Sequence, residues 1–394
     1  MSPTTGRPSL RDRTRDEVFA LIRDSRDLTR SALVELTGLP SSTIGHAVSR
    51  LLAEGRVTES APPAKGPGSG SGRPGSILNA VATTTRTGAI DFGHRHFRVA
   101  LGDDAGNVID EEIVQLNVDQ SPVRGLDAAA ASLRALGARN SVSALTCVAA
   151  GVPGPIEEDT GLVCSTTTLS NWAGIYPARE LERRLGVPAL VSNDASAGAL
   201  GELHHGAGRG HRDFLYIKAS HGIGAGMVIR GELFEGGTGF AGEIGHMMLV
   251  PGAPMGRRSV EQNCSRTAVV DRLVSLIRAN HKSRLTDLTK GDLSQVRSKL
   301  VAQAYKDGDK LTRRVIDECA EMIGCHIGSC VTLLSLPLVV MGGGLSEALG
   351  EDFVKLVERA ARASAFPSRC KDVRVVVSRR LDDACQLGAA LLAR

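Results

Sequence analysis

The first forty residues show apolar positions at helical spacing in two short segments. In residues 14–24 the apolar positions are Val18, Phe19, Leu21 and Ile22, which predicts a first helix on a small core. In residues 28–40, Thr29 can cap a second helix and Gly38 can supply the turn that ends it. The pattern therefore predicts two helices separated by a tight connection.

A third helix is predicted to follow Pro40, with Ser41 or Ser42 as its cap. Its apolar face consists of Ile44, Val48, Leu51 and Leu52. The opposite face is polar, and we expect its side chains to contact DNA: Ser41, Ser42, Thr43, His46, Ser49 and Arg50. A polar-faced helix after a short Gly turn is typical of a helix-turn-helix, whose second helix enters the major groove.

Two short strands are predicted next, at residues 56–59 and 73–81, around a tract rich in Pro, Gly and Ser. Such a hairpin forms the wing of a winged helix-turn-helix. Arg73 stands between Gly72 and Pro74, and an extended Arg at a wing tip can enter a narrow minor groove. The alternative is that residues 61–76 are only an interdomain linker.

From residue 89 onward, strands alternate with helices. Three antiparallel strands, a helix and a further strand are predicted at 89–93, 97–103, 107–114, 126–136 and 144–150. A comparable unit recurs at 214–220, 224–233, 267–280 and 338–341. The repetition predicts an α/β fold of two lobes with a cleft between them.

Composition agrees with this prediction and excludes other classes. Among 394 residues, 42% are hydrophobic, only 3% are aromatic and 45 are Gly, which suits a Gly-rich α/β scaffold. The charged N-terminus lacks a leader, and no segment approaches the roughly 20 apolar residues that span a bilayer, so we expect a cytoplasmic protein. The eight scattered Cys contain no CxxC pair, which favours reduced thiols over disulfides or a metal site.

The net charge of +4 is concentrated near the N-terminus, where residues 1–76 hold eleven Lys or Arg against eight Asp or Glu. This excess is compatible with a DNA-binding unit, although an ordinary solvated surface would give the same count.

Five motifs in fixed order resemble those of the ROK family (repressors, open reading frames, sugar kinases). They are Gly151-Val-Pro-Gly-Pro-Ile, Ser192-Asn-Asp-Ala-Ser-Ala-Gly-Ala-Leu-Gly-Glu, Gly222-Ile-Gly-Ala-Gly-Met, Gly237-Thr-Gly-Phe-Ala-Gly-Glu-Ile-Gly-His and Met341-Gly-Gly-Gly-Leu-Ser. The resemblance runs from residue 89 to the C-terminus and implies a two-lobed, actin-like sugar-kinase fold. The helix-turn-helix in front resembles the repressor branch of the family.

The resemblance implies three domains. Residues 1–82 form the winged helix-turn-helix, residues 86–200 the first lobe completed by a C-terminal helix at 382–394, and residues 201–381 the second lobe. It also places Asp194 where kinases of the family carry their catalytic base, although an Asp there can simply hydrogen-bond a sugar.

The first strand turn departs from the kinase pattern Asp-x-Gly-Gly-Thr, because Gly93 is followed by His94, Arg95 and His96. These bulky side chains would crowd an incoming phosphate. We therefore expect a vestigial Asp194 and no kinase activity.

The family resemblance also implies a zinc loop and a set of sugar contacts. The three Cys of the zinc loop are absent from residues 253–262, and one thiolate with His246 cannot complete a tetrahedral site, so we expect neither metal nor cofactor. The expected ligand-binding residues are Asn193, Asp194, Glu243, His246 and Gln262, with Glu261 as the alternative to Gln262. Glu243 and His246 could instead only support the fold.

The sequence thus predicts a transcription regulator, most often a repressor in this branch. Its expected partners are double-stranded operator DNA and a sugar or sugar-derived effector, and it is expected to act as a homodimer or homotetramer without a membrane partner. Two alternatives remain: an active sugar kinase with an added DNA-binding domain, and a ligand-independent DNA-binding protein with a vestigial cleft.

Overall fold

The structure is a computed structural model that describes residues 10–25, 28–60, 76–80, 86–140, 142, 144–164, 168–249, 258–368, 372–380 and 383–394. The chain divides into two compact units, one ending at Thr84 and the other beginning at Thr85. Within the described ranges, no helix combines the length and the apolar composition needed to cross a bilayer.

The N-terminal unit packs three helices against a small antiparallel sheet. Its elements are α1 (Leu10–Asp24), β1 (Leu28–Thr29), α2 (Arg30–Thr37), α3 (Ser41–Ala53), β2 (Val57–Ser60) and β3 (Ile77–Ala80). The strand order is β1-β3-β2. Its core is formed by apolar side chains from all three helices and the sheet, among them Phe19, Leu33, Ile44, Leu51 and Leu78. These are the elements of a winged helix-turn-helix, with the described strands β2 and β3 paired as a hairpin.

The ends of α2 agree with the sequence, whereas the start of α3 does not. The Thr29 hydroxyl accepts a hydrogen bond from the Ala32 N–H, and Gly38 adopts a left-handed conformation (φ 66°) after α2, which confirms both predictions. The expected Ser cap of α3 is wrong. The cap position is Pro40, whose carbonyl accepts from the Ile44 N–H at 3.1 Å. Ser41 and Ser42 therefore lie inside the helix, and the cap position makes no side-chain hydrogen bond.

The second unit contains two five-stranded sheets. The first sheet and its helices are β4 (Thr87–Phe92), β5 (His96–Gly102), β6 (Val108–Gln115), α4 (Pro122–Arg139), β7 (Val148–Val152), α5 (Pro177–Leu185) and β8 (Ala189–Asn193). The strand order is β6-β5-β4-β7-β8. The pairs β6–β5 and β5–β4 are antiparallel, and β4–β7 and β7–β8 are parallel.

The second sheet repeats this pattern. Helix α6 (Asp194–His205) precedes this sheet, and helix α13 (Ala384–Leu392) ends the chain. The strands are β9 (Phe214–Ala219), β10 (Ile223–Ile229), β11 (Glu232–Phe234), β12 (Leu338–Gly342) and β13 (Arg374–Val377). The helices between these strands are α7 (Val260–Cys264), α8 (Arg266–Arg278), α9 (Arg284–Leu288), α10 (Ser298–Lys306), α11 (Lys310–Leu334) and α12 (Gly344–Ser364). The order β11-β10-β9-β12-β13 again joins antiparallel strands to parallel ones. The α/β class with two similar lobes is therefore confirmed.

Helices α6 and α13 pack closely against each other and against the first sheet. A Cβ on Gly388 would lie 1.7 Å from the Ala197 carbonyl oxygen, and a Cβ on Gly201 would lie 2.1 Å from that of Ala384. The face of α13 toward the first sheet belongs to an alanine cluster: Ala89, Ala100, Ala149, Ala389, Ala390 and Ala393. This close crossing fixes the N-terminus of α6, and with it Asp194.

We predict that Gly388→Ala destabilises the second unit by at least about 2 kcal/mol, because the added methyl group would overlap a backbone carbonyl. Thermal unfolding of the full chain measures the effect. Gly137→Ala is the matched control in another helix, since its Cβ would meet Val142 only at 3.5 Å or more. Equal melting temperatures for the two variants would contradict the prediction.

Candidate functional site

A cavity of about 810 Å³ within the second unit is lined by residues of both sheets and of the helices that follow them. Four of the five predicted ligand contacts line it, namely Asn193, Asp194, Glu243 and His246. A volume of this size is in the range of small-molecule sites.

The floor of the cavity holds an ion-pair network that sequence reasoning missed. Lys218 Nζ lies 2.8 Å from Asp194 Oδ2 and 4.0 Å from Asp91 Oδ1, and the side chains are only 21%, 14% and 10% exposed, respectively. Burial by itself would lower the pKa of Lys218, but the Asp194 and Asp91 carboxylates raise it well above its usual value. The ammonium group is thus charged and occupies one oxygen of Asp194. The only signal in the sequence is a lysine inside the apolar run of β9.

Asn193 links the cavity to the start of α6. Its Oδ1 caps the helix by accepting from the Ala195 and Ser196 N–H groups, and its Nδ2 donates to the Gly154 carbonyl at 2.9 Å. Its amide is therefore largely committed to the protein itself, and its main effect is to hold Asp194 at the first helical position.

Glu243 and His246 form the carboxylate–imidazole pair of the cavity. His246 Nε2 lies 3.8 Å from Glu243 Oε2, and the imidazole is 59% exposed. Burial raises the pKa of Glu243; His246 opposes this shift, and the Asp194 and Glu261 carboxylates add to it. A carboxylate that is buried beside other carboxylates can accept hydrogen bonds from ligand hydroxyl groups.

The structure places Glu261, and not Gln262, on this cavity. Gln262 Oε1 accepts from the N–H groups of Arg258 and Ser259, completing a capping box at the start of α7. Glu261 Oε2 accepts from the Ile223 N–H at 2.9 Å. The Gln262 side chain is thus engaged in capping α7, whereas the preceding Glu261 faces the cavity.

Five basic side chains, hereafter the basic cluster, line another part of the same cavity: His94, Arg95, His96, His221 and Arg266. The rings of His94 and His221 stack with centroids 5.3 Å apart. Burial, as the largest cause, together with Arg266 and the other three members lowers the pKa of His221 to about 4. The positive charge of the other members thus disfavours a second positive charge on the His221 imidazole.

The zinc loop implied by the family resemblance lies partly outside the described residues, at 250–257, and residues 253–262 contain no Cys. In the part of the chain that the structure describes, no three His, Cys, Asp or Glu side chains are grouped to hold a metal ion. Cys264 is buried on α7, where its thiol contacts the Cys319 carbonyl at 3.8 Å. That thiol is thus directed into the core.

The candidate DNA contacts of the N-terminal unit lie on one side of α3. Ser41, Ser42, His46, Ser49 and Arg50 are exposed, and Thr43 is partly exposed. Arg50 lies 3.8 Å from Glu54, which also lies 3.2 Å from Arg15 and 3.8 Å from Arg56. Arg73 and the tract at 61–75 lie outside the described residues.

Comparison with known proteins gives a family and two kinds of relative. The family model described as the ROK family matches residues 87–394. A putative xylose repressor of Caldicellulosiruptor sp. (strain Rt8B.4) is 27% identical over 95% of this chain and 94% of its own length. A glucokinase of Halalkalibacterium halodurans is 28% identical, over 77% of this chain and 94% of its own length.

A solved structure of a ROK family transcriptional regulator, a homolog of the E. coli MLC protein, superposes with a TM-score of 0.77. It covers 96% of this chain and 94% of its own at 21% identity, which supports the fold. The similarity to the two regulators thus extends over the N-terminal unit, whereas the glucokinase matches a smaller share of the chain.

We predict that Lys218→Met lowers the free energy of unfolding by about 3 kcal/mol, because two buried carboxylates lose their counter-ion. Asp194→Asn in the Lys218→Met background should restore part of the loss, since one of the unpaired charges is then removed. Chemical denaturation at pH 7 of both single variants and the double variant measures this coupling. Strictly additive losses would show that the ion pair has no energetic role.

Proposed function

The chain belongs to the ROK family, and we propose that it is a DNA-binding transcription regulator, a repressor, that senses a sugar or sugar-derived metabolite without phosphorylating it. The observation that carries this proposal is the helix-turn-helix, in which α3 presents five exposed polar or basic side chains beside its buried apolar face. Phosphorylation of a sugar does not require an exposed polar helix face of this kind.

The geometry of the N-terminal unit supports DNA as the partner. The width of a major groove admits one α-helix, and short hydroxyl and imidazole side chains near the start of α3 can approach base edges. A homodimer or homotetramer would place two such helices in successive grooves about 34 Å apart. A chromosomal partner in turn implies a cytoplasmic protein.

The cavity supports ligand binding more than phosphoryl transfer. A general base must receive the proton of the attacking hydroxyl group, but Lys218 already donates to the Asp194 carboxylate at 2.8 Å. The side chains of His94, Arg95 and His96 line the region after Gly93, where the kinases of the family keep small residues. Carboxylates at Asp194, Glu243 and Glu261 remain as acceptors for sugar hydroxyl groups.

An active sugar kinase is the second candidate. It is favoured by Asp194, which lines the cavity, and by the similarity to a glucokinase over most of the second unit.

We predict that Arg50→Ala weakens DNA binding by about 1–3 kcal/mol, or roughly 5- to 150-fold, because a charged contact to DNA is lost. Fragments captured from the genome by the full chain supply the operator, and gel shifts at fixed salt concentration measure the affinity. Arg209→Ala, an exposed arginine of the second unit, is the control. Equal gel shifts for the two variants and the wild-type chain would remove α3 from the interface.

We also predict no sugar-dependent ADP release from ATP with hexoses, pentoses or amino sugars, since Asp194 is paired with an ammonium group and the first phosphate loop is bulky. A coupled assay with the full chain measures it, with Asp194→Asn as the background. Turnover that disappears in Asp194→Asn would instead establish the kinase.

A further inference from the structure

A carboxylate continues the row of α3 side chains that the proposed function directs toward DNA. Ser42, His46, Arg50 and Glu54 follow one another at four-residue spacing, and residues four apart lie on the same side of a helix. Glu54 is the C-terminal cap of α3 and keeps helical dihedral angles (φ −77°, ψ −5°), so it extends this row by one turn. A complex with DNA would therefore bring a negative charge toward the phosphate backbone.

The stability of α3 alone does not account for this carboxylate. A helix carries partial negative charge at its C-terminus, where a carboxylate is unfavourable and a cation is favourable. Glu54 also follows its partner Arg50 by four residues, and an ion pair at this spacing is weaker when the basic residue comes first. The reason for a carboxylate at the end of α3 therefore lies in the groups that surround it.

Three arginines surround the Glu54 carboxylate. Its Oε1 lies 3.2 Å from Arg15 Nη1 of α1 and 3.8 Å from Arg50 Nη2, and its Oε2 lies 3.8 Å from Arg56 Nη1. The Arg56 guanidinium is also stacked on the Phe19 ring, with its Cζ 3.9 Å from the ring centroid. Three positive charges around one negative charge leave the group net positive, and the Glu54 carboxylate holds these charges together.

Arg50 is the most accessible arginine of this group and lies on the polar face of α3. Its side chain is 48% exposed, compared with 19% for Arg15 and 31% for Arg56. An exposed arginine can pair with any phosphate that comes close, and such contacts carry no sequence information. The Glu54 carboxylate, one turn away on the same row, competes with phosphates for this guanidinium group.

We propose that Glu54 is a positioning residue that acts through Arg50 and increases the discrimination between operator and other DNA. On DNA of arbitrary sequence, a phosphate gains Arg50 only by displacing the Glu54 carboxylate, which also repels the phosphate. On the operator, the guanidinium group has several N–H donors and can contact a base edge while Glu54 still holds it. The inference rests on the proposed DNA-binding function and names a residue that sets its specificity.

The test compares the full wild-type chain with Glu54→Gln on two duplexes of equal length, the captured operator and a shuffled sequence of the same composition. Glutamine removes the charge but keeps an oxygen that can accept from Arg15. Glu54→Gln should bind the shuffled duplex roughly 5- to 30-fold more tightly and change operator affinity less than about threefold. The slope of log affinity against log salt concentration on the shuffled duplex should steepen by about 1. Glu35→Gln, an exposed carboxylate of α2, makes the same charge change and should give neither effect.

Three outcomes overturn the inference. Glu54→Gln binds the shuffled duplex no more tightly than Glu35→Gln does, it gains as much affinity in the Arg50→Ala background, or it loses affinity for the operator alone, as a direct base contact would. Unchanged affinities with a melting temperature lowered by more than about 4 °C would show a purely structural ion pair instead. A wild-type chain that prefers the operator keeps the regulator and rejects only the role of Glu54, whereas equal binding of both duplexes by the wild-type chain rejects the regulator itself.

Discussion

The second unit depends on the buried ion pair between Lys218 and Asp194, with Asp91 as its third member. Asp91 lies on the first sheet, Asp194 on α6 and Lys218 on the second sheet, so this one network joins the two halves of the cleft. Two carboxylates this poorly exposed could not both remain charged without the ammonium group. The same contact that joins the two sheets engages Oδ2 of Asp194, the residue at the position of the catalytic base in kinases of the family.

The ordered glycine motifs allowed the fold to be predicted because many of these glycines are required by backbone packing. A Cβ on Gly226 would lie 2.4 Å from the Ala195 carbonyl oxygen, and one on Gly242 would lie 1.9 Å from that of Ala225. These positions must stay glycine whether or not a phosphate binds. These glycines therefore indicate the architecture of the chain whether or not it phosphorylates a sugar, which is why the motifs predict the fold better than the activity.

The parts of the site that could not be predicted depend on three-dimensional neighbours. In the sequence, Lys218 is a single charged residue within an apolar strand. Its two carboxylate partners, Asp91 and Asp194, are distant in the sequence and come close to it only in the folded structure. The choice between Glu261 and Gln262 was decided by the capping box of α7, a local competition for backbone N–H groups. The predicted cap of α3 was wrong because the helix begins directly after Pro40, whose backbone carbonyl accepts the first helical hydrogen bond.

The distribution of charged side chains in the cavity bears on how a bound effector could regulate. A ligand changes DNA affinity only if it binds one conformation better than the other, and a shift from 1:99 to 99:1 needs a difference of about 5.5 kcal/mol. A neutral sugar held by Glu243 and Glu261 alone contacts mainly the side of the cleft that belongs to the second sheet. A ligand that also contacts His94 and Arg95, which lie between β4 and β5 of the first sheet, interacts with both halves at once. Its binding free energy then depends on the distance between them, which is the property that a switch requires.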